Sequence, residues 1–164
     1  MQIQVTPYPV ELFTADYRAA GTMDIRGNPA IFVNDNSVQL FTVCDATLTP
    51  LAADWCVGQL SAPTLCVPKP HVQMMVLGDF RATDALLLPG AIRLMVFTDT
   101  YAVRGTCRVG AEAQPADLLG ELGGAFLLLT GAEIRPLRHL TSEVRPSAEL
   151  VFLHKSAVRS FQPR

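Results

Sequence analysis

The chain contains the same ten-residue pattern twice, and this repeat constrains its fold more than any other feature. A Phe-Thr-x-x-Tyr-x-x-x-Gly-Thr pattern at residues 13–22 recurs 84 residues later at residues 97–106, with five of the ten positions identical. From Pro29 onward the two halves stay aligned at an offset of 86, so that Lys69 matches Lys155. A repeat of this length indicates a duplicated domain rather than the short unit of a solenoid.

The duplication divides the chain into two small domains, each close to the lower size at which a domain folds alone. We place the first copy at residues 1–77, a linker at 78–90 and the second copy at 91–164. The chain is 49% hydrophobic and only 17% charged. Each copy therefore has enough apolar residues for a core, and the surplus predicts buried surface between the copies or between chains.

Charge and cysteine content limit the partners and the cellular location. The formal net charge is -2, and the absence of any Lys/Arg-rich run argues against strong nonspecific binding to nucleic acid. With no apolar stretch of membrane-spanning length and no signal peptide, we expect a cytoplasmic protein without a membrane partner. We expect its four cysteines to be reduced, with Cys44 and Cys66 serving as small core residues.

Each copy is predicted to contain about five short strands and one turn of helix. In the second copy the helical turn falls at residues 115–122 and is followed by the stop signal Gly123-Gly124. In the first copy Pro29 predicts the start of the equivalent turn. This pattern predicts an all-β protein of two strongly bent, five-stranded barrels. The predicted strands are 10–14, 17–23, 38–43, 46–51, 65–67 and 72–76, with counterparts at 126–129, 132–137, 150–153 and 158–161.

With this strand order, each copy resembles the Sm/Lsm fold, which includes the bacterial Hfq type. The first Sm signature joins an apolar strand to a strand that carries a glycine, and residues 10–23 and 94–107 are similar to it. The second signature is an aliphatic residue, a basic residue, glycine, two free positions and an aliphatic residue. Residues 67–72 and 153–158 resemble it in outline. The resemblance implies two tandem Sm-like barrels.

The chain departs from the family at the residues that form the family's RNA pocket. That pocket draws on an aspartate and asparagine loop, which residues 24–28 and 108–112 do not reproduce. The basic-glycine pair of the second signature is replaced by Pro68-Lys69 and by His154-Lys155. A proline cannot donate a backbone hydrogen bond and a lysine does not easily adopt positive φ. The departures imply that the RNA-pocket geometry is lost.

His154 and Lys155 are the best candidates for a polar site. An imidazole can stack on a base or hydrogen-bond to it while the ammonium contacts a phosphate. Lys69 occupies the position equivalent to Lys155, and His71 follows two residues later. These four residues form the candidate RNA-binding set. The alternative for His154 and Lys155, which we favour, is a solvated turn between two strands, and the alternative for Lys69 is an ordinary surface lysine.

Three aromatic residues allow two interpretations each. Tyr17 and Tyr101 recur at a fixed spacing from a glycine and can form a stacking platform, but we favour a place in the barrel wall. The two glycines, Gly21 and Gly105, are expected where a strand bends or another backbone approaches closely. Trp55 is predicted either to cover the end of a barrel or to anchor a partner, and the sequence does not decide between them.

No catalytic constellation is visible in the sequence. His71, His139 and His154 show no metal-ligand spacing, and neither a nucleophile elbow nor a phosphate-binding loop occurs. We therefore expect no catalytic residues, no metal and no cofactor.

The leading functional prediction is a noncatalytic scaffold or protein-interaction module. Because an open sheet edge tends to pair with another chain, we expect it to form a homo-oligomer through edge strands. The alternatives are an RNA-binding regulator and a small-ligand site between the two copies.

Overall fold

The structure is a computed structural model that describes residues 4–81, 88–120 and 123–164. The described residues form ten strands, one α-helix and several short 3-10 turns. The first half contains β1 Val5–Phe13, β2 Tyr17–Arg26, α1 Pro29–Asn34, β3 Leu40–Pro50, β4 Leu60–Pro68 and β5 Met74–Leu77. The second half contains β6 Gly90–Phe97, β7 Tyr101–Val109, β8 Phe126–Pro136, β9 Ser147–His154 and β10 Ser160–Pro163. The 3-10 turns are Lys69–His71, Pro115–Asp117 and Lys155–Ala157.

All ten strands lie in one antiparallel sheet, in the order β10-β6-β7-β8-β9-β5-β1-β2-β3-β4. In each half four consecutive strands pair in turn and the fifth returns to the first, so that β5 pairs with β1 and β10 pairs with β6. The sheet is not closed, because β10 and β4 lie at its two ends. The prediction of an all-β protein is confirmed, and the strands of the two predicted copies share one sheet.

The repeated Phe-Thr-x-x-Tyr segment forms the same tight turn in both halves. The hydroxyl of Thr14 accepts a hydrogen bond from the Tyr17 N–H at 3.1 Å, and the Thr98 hydroxyl accepts one from the Tyr101 N–H at 2.8 Å. Threonine stabilises turns in this way because its short side chain reaches nearby backbone donors. The turn therefore follows directly from the local sequence and positions β1 beside β2 and β6 beside β7.

The third strand of each half is longer than predicted. Residues 38–43 and 46–51 were expected as two strands, but most of both lie in the single strand β3. The chain passes between them through Asp45, which has a φ of 49°, and β8 passes through Gly131 with a φ of 57°. The register with the neighbouring strand shifts at these places, so each is a bulge within one strand. The predicted separation into two strands was wrong because a bulge interrupts the apolar pattern without ending the pairing.

Gly21 and Gly105 lie opposite these bulges, where another backbone approaches closely. A Cβ atom at Gly21 would lie 2.5 Å from the carbonyl oxygen of Cys44 and 2.6 Å from a methyl carbon of Val43. A Cβ atom at Gly105 would lie 3.1 Å from the Cβ of Leu129. The close approach that the sequence predicted at these glycines is confirmed.

The two halves are joined through the pairing of β5 with β9, which we call the junction. Met75 lies opposite Phe152 in this pairing. Each of two hydrophobic cores then includes residues from the other half. Burying a large apolar side chain contributes about 1.5–3 kcal/mol to the stability of the fold. Each core therefore depends on residues of the other half for part of its stability. The core of the first half includes Phe126, Leu150 and Phe152, and the core of the second half includes Phe13, Met74 and Val76.

Helix α1 connects the halves on one side of the junction. The side-chain oxygen of Asn28 accepts a hydrogen bond from the Ala30 N–H at 2.9 Å and so caps the helix, with Pro29 at its first position as predicted. At the other end, the side-chain oxygen of Asn34 accepts a hydrogen bond from the Phe126 N–H at 2.9 Å. The helix thus binds β8 of the second half to the first half.

The predicted linker lies between β5 and β6. β5 ends at Leu77 and β6 begins at Gly90, while residues 82–87 of the predicted linker lie outside the described residues, as do residues 121–122 of the predicted helical turn.

All four cysteines are free, and Cys44 is half-buried. The prediction that Cys66 is a core residue was wrong, since Cys66 is exposed on β4 at the end of the sheet.

Candidate functional site

The four residues predicted to form a polar site lie at two equivalent corners of the sheet. Lys69 and His71 belong to the 3-10 turn between β4 and β5, whereas His154 ends β9 and Lys155 begins the next turn. The junction makes the two corners neighbours, because the His154 N–H donates to the carbonyl oxygen of Gln73 at 2.8 Å. The structure therefore brings Lys69 and His154 close enough for the lysine charge to affect the pKa of the histidine.

The Lys69 side chain is engaged by the end of helix α1. Lys69 is only 6% exposed, and its ammonium donates to the carbonyl oxygen of Asp35 at 2.8 Å. Burial lowers the pKa of Lys69, and the Asp35 carboxylate partly opposes this shift. A cation at the C-terminal end of a helix satisfies a carbonyl that has no partner within the helix. Lys69 is therefore not the ordinary surface lysine that was its alternative interpretation.

Lys155 makes the matching contact in the second half. Its ammonium donates to the carbonyl oxygen of Gly120 at 2.7 Å, just after the 3-10 turn Pro115–Asp117. Burial lowers the pKa of Lys155 as well. The two lysines therefore have the same structural role. Each ammonium donates to a carbonyl oxygen at the end of a helical segment and so fixes that segment to the corner that contains the lysine.

His154 is held by contacts on both of its sides. The imidazole packs edge-on against the Phe126 ring, with ring centroids 4.7 Å apart. Its Nδ1 accepts a hydrogen bond from the Ser156 N–H at 3.2 Å and lies 2.7 Å from the Ser156 hydroxyl oxygen. Burial lowers the pKa of His154, and the nearby Lys69 charge lowers it further. Through the bond from Ser156, His154 caps the turn that follows β9.

His71 is exposed and faces an open cleft between the halves. The cleft has a volume of about 530 Å³ and takes its walls from the first β-turn, the β4–β5 corner and the β9–β10 corner. Asp16, Tyr17, His71 and Arg159 are the charged or titratable side chains of its lining. The guanidinium of Arg159 also donates to the carboxylate of Asp99 through two hydrogen bonds, at 3.0 and 2.8 Å. This cleft joins His71 to residues that the sequence prediction did not include.

Arg159 and Gln73 are the residues of this region that sequence reasoning missed. They occupy equivalent positions, immediately before β10 and β5, and both line the cleft. The side-chain oxygen of Gln73 is buried and has no hydrogen-bond partner among the described residues. No motif marks either residue, since their significance arises only when β5 and β9 pair. The alignment of the repeat, which matches Gln73 to Arg159, is the one signal that could have drawn attention to them.

The predicted aromatic residues occupy unequal environments. Tyr101 is completely buried and packs against Phe13 across the junction, with ring centroids 5.7 Å apart. Tyr17 is half-buried and packs against Trp55, with ring centroids 6.2 Å apart. Trp55 lies in the loop between β3 and β4 and remains 37% exposed. The structure thus places Tyr101 in the core and leaves Tyr17 and Trp55 together on the surface.

Within residues 4–81, 88–120 and 123–164, no group of three or more His, Cys, Asp or Glu side chains is arranged to hold a metal ion. The same described ranges contain no helix long and apolar enough to cross a membrane. Comparison with protein-family models, with curated proteins and with solved structures finds no match to this chain.

Proposed function

We propose that this chain is a noncatalytic assembly module made of two Sm-like half-units, which binds further copies of itself end to end through β4 and β10. The observation that supports this most directly is the pairing of β5 with β9. In the order of strands within each half, β4 corresponds to β9 and β10 corresponds to β5. The junction inside the chain is therefore a template for a contact between chains.

The backbone of β4 offers most of what such a contact requires. An edge strand presents a row of N–H and C=O groups that can pair with another strand. In the junction the His154 N–H donates to Gln73, and the position matching His154 on β4 is Pro68, which has no N–H. Cys66 and Thr64, the next residues of β4 whose N–H groups point toward the free edge, keep those groups. The contact between chains therefore lacks one hydrogen bond of the junction.

The side chains at the two ends also predict a weaker contact than the junction. Phe152 and Met74 are completely buried in the junction, whereas the matching positions at the ends of the sheet hold Cys66 and Ser160, which are exposed. When β4 of one chain meets β10 of another, less apolar area is removed from water than in the junction. We propose a reversible, concentration-dependent assembly, in which a single chain is stable by itself.

Hydrogen–deuterium exchange at the sheet ends tests the proposal. The amides of Thr64 and Cys66 should exchange more slowly in concentrated than in dilute solution. The variant Cys66→Pro removes one outward N–H and should abolish the protection of the Thr64 amide, while Cys66→Ala keeps the N–H and should retain that protection. Exchange rates that are identical at all concentrations would overturn the proposal.

An RNA-binding role for His154, Lys155, Lys69 and His71 is the alternative. The observation that favours it is the proximity of Lys69 to His154 across the junction. Our proposal predicts no binding of short U-rich or A-rich RNAs in a fluorescence-anisotropy titration at low salt. A salt-sensitive affinity that falls in Lys155→Ala would favour the RNA-binding role instead.

A small-ligand site in the cleft is the second alternative. It is favoured by the buried side-chain oxygen of Gln73, which can accept a hydrogen bond, and by Arg159, which lines the same cleft. A small polar molecule that raises the Tm of the wild type but not of Arg159→Ala would support this role.

A further inference from the structure

The loop between β8 and β9 closes the junction over the first half. The Thr141 N–H donates to the carbonyl oxygen of Leu51 at 3.0 Å, and the Thr141 hydroxyl donates to the carbonyl oxygen of Pro50 at 3.0 Å. The same loop brings Arg145 to 3.7 Å from the carboxylate of Glu11. In this setting the Leu51 side chain is only 2% exposed.

The equivalent loop of the first half, residues 51–59, lies at the β4 end of the sheet. Trp55 and Val57 in this loop are 37% and 48% exposed. Leu137, which matches Leu51 in the second half, is 51% exposed. The loop near the β4 end of the sheet therefore has exposed apolar side chains. In the other half, Leu137 is exposed although its counterpart Leu51 is covered.

Two residues before Leu137, Arg135 lines a depression on the surface of the second half. In the first half Glu11 and Arg18 form an ion pair, but the matching residues of the second half are Met95 and Ala102. The depression has a volume of about 150 Å³, and Met95 and Ala102 form part of its wall. Its lining consists of Met95, Ala102, Arg104, Glu133, Arg135 and Arg164. An indole ring placed there contacts apolar atoms and lies beside guanidinium groups, which interact favourably with an aromatic face.

We propose that the loop 51–59 of one chain docks on the β10 end of a second copy, with Trp55 in the depression beside Leu137. This inference rests on the proposed assembly and names the side chains that mediate it. The occupant is a second copy because the contact repeats one that the chain already makes internally, between the β8–β9 loop and Leu51. In the contact between chains, an indole ring packed against Met95, Ala102 and the neighbouring guanidinium groups replaces the hydrogen bonds and the ion pair of the internal contact.

A second pair of aromatic residues fits the same arrangement. Tyr101 and Phe13 pack together at the junction and are completely buried. Their equivalents Tyr17 and Phe97 are both half-buried, one in each half. When a second copy docks head to tail, Tyr17 of one chain meets Phe97 of the next in the same way. The contact then buries aromatic side chains of the kind that dominate protein interfaces.

Because Trp55 is the single tryptophan of the chain, its fluorescence reports the contact directly. We expect its emission to shift to shorter wavelength as the protein concentration rises. Trp55→Ala and Leu137→Ser should each weaken self-association by at least about tenfold, as loss of a central interface residue does. Val5→Ala, which changes another exposed aliphatic residue, is the matched control and should leave association unchanged.

Mixing the two variants tests the head-to-tail direction. Trp55→Ala keeps an intact Leu137 surface and Leu137→Ser keeps an intact Trp55 loop, so their equimolar mixture should form heterodimers at concentrations where each alone is monomeric. If the wild type associates while its Trp55 emission and both variants are unaffected, the docking of Trp55 is overturned and the assembly stands. If the wild type does not associate at any concentration, the proposed assembly and the docking both fail.

Discussion

Phe13 of β1 and Tyr101 of β7 pack edge to face across the junction and are both completely buried. Phe13 belongs to the first half by sequence but contributes to the hydrophobic core of the second half. Aromatic pairs in this geometry contribute about 0.5–1.5 kcal/mol beyond the area that they bury. The two halves therefore depend on each other for stability, and we expect them to unfold together.

Replacing Phe13 tests this dependence. Phe13→Ala should lower the free energy of unfolding by about 3–5 kcal/mol, because it leaves a cavity in a core shared by both halves. Phe97→Ala is the matched control, and it should cost much less because Phe97 is half-buried. Urea unfolding followed by far-UV circular dichroism and by Trp55 fluorescence should give one coincident transition. Separate transitions for the two probes would contradict the shared core.

The stability should depend on pH through His154. Burial and the Lys69 charge lower the pKa of His154 in the folded protein below its value in the unfolded chain, about 6.5. Protonation therefore favours the unfolded chain, so this contribution is complete above that pH and is lost as the pH falls through the lowered pKa. Urea unfolding between pH 5 and pH 8 should show a loss of stability at acid pH that is smaller in His154→Gln.

The proximity of Lys69 to His154 gives a second test of the same corner. Lys69→Met keeps the aliphatic stem and removes the charge, so the pKa of His154 should rise toward its ordinary value in an NMR titration. The substitution should also cost about 1 kcal/mol of stability, because the Asp35 carbonyl loses its donor. Lys155→Met is the control, and an equal rise of the His154 pKa in that variant would contradict the placement of Lys69.

The repeated glycines should differ in their tolerance to substitution. Gly21→Ala places a methyl group 2.5 Å from the Cys44 carbonyl oxygen and should cost about 3 kcal/mol. Gly105→Ala places its methyl group 3.1 Å from the Leu129 Cβ and should cost about 1 kcal/mol. Thermal unfolding of both variants provides the comparison. Equal losses of stability would show that the two bulges are packed alike.

Local features of the fold could be predicted from the sequence because their causes are local. The Thr14 turn, the start of α1 at Pro29 and the close approach at Gly21 each depend on residues that are near one another in the chain or in a neighbouring strand. The Thr98 turn of the second half repeats the Thr14 turn, as the repeated sequence pattern leads one to expect. These are the parts of the account in which sequence and structure agree.

Features that depend on long-range pairing could not be predicted in this way. The burial of Lys69, the exposure of Cys66 and the role of Gln73 all follow from which strand lies beside which. The pairing of β5 with β9 joins residues about 77 positions apart, and periodicity within a strand carries no information about its partner. The sequence therefore singled out Lys69 and His154 as candidates but gave no sign that strand pairing brings them close together or that a cleft lies beside them.

Sedimentation velocity of the unmodified chain, from micromolar to millimolar concentration, tests the central claim most directly. The proposed assembly predicts a weight-average sedimentation coefficient that rises with concentration and returns to the monomer value on dilution. A single monomeric species throughout this range would contradict it.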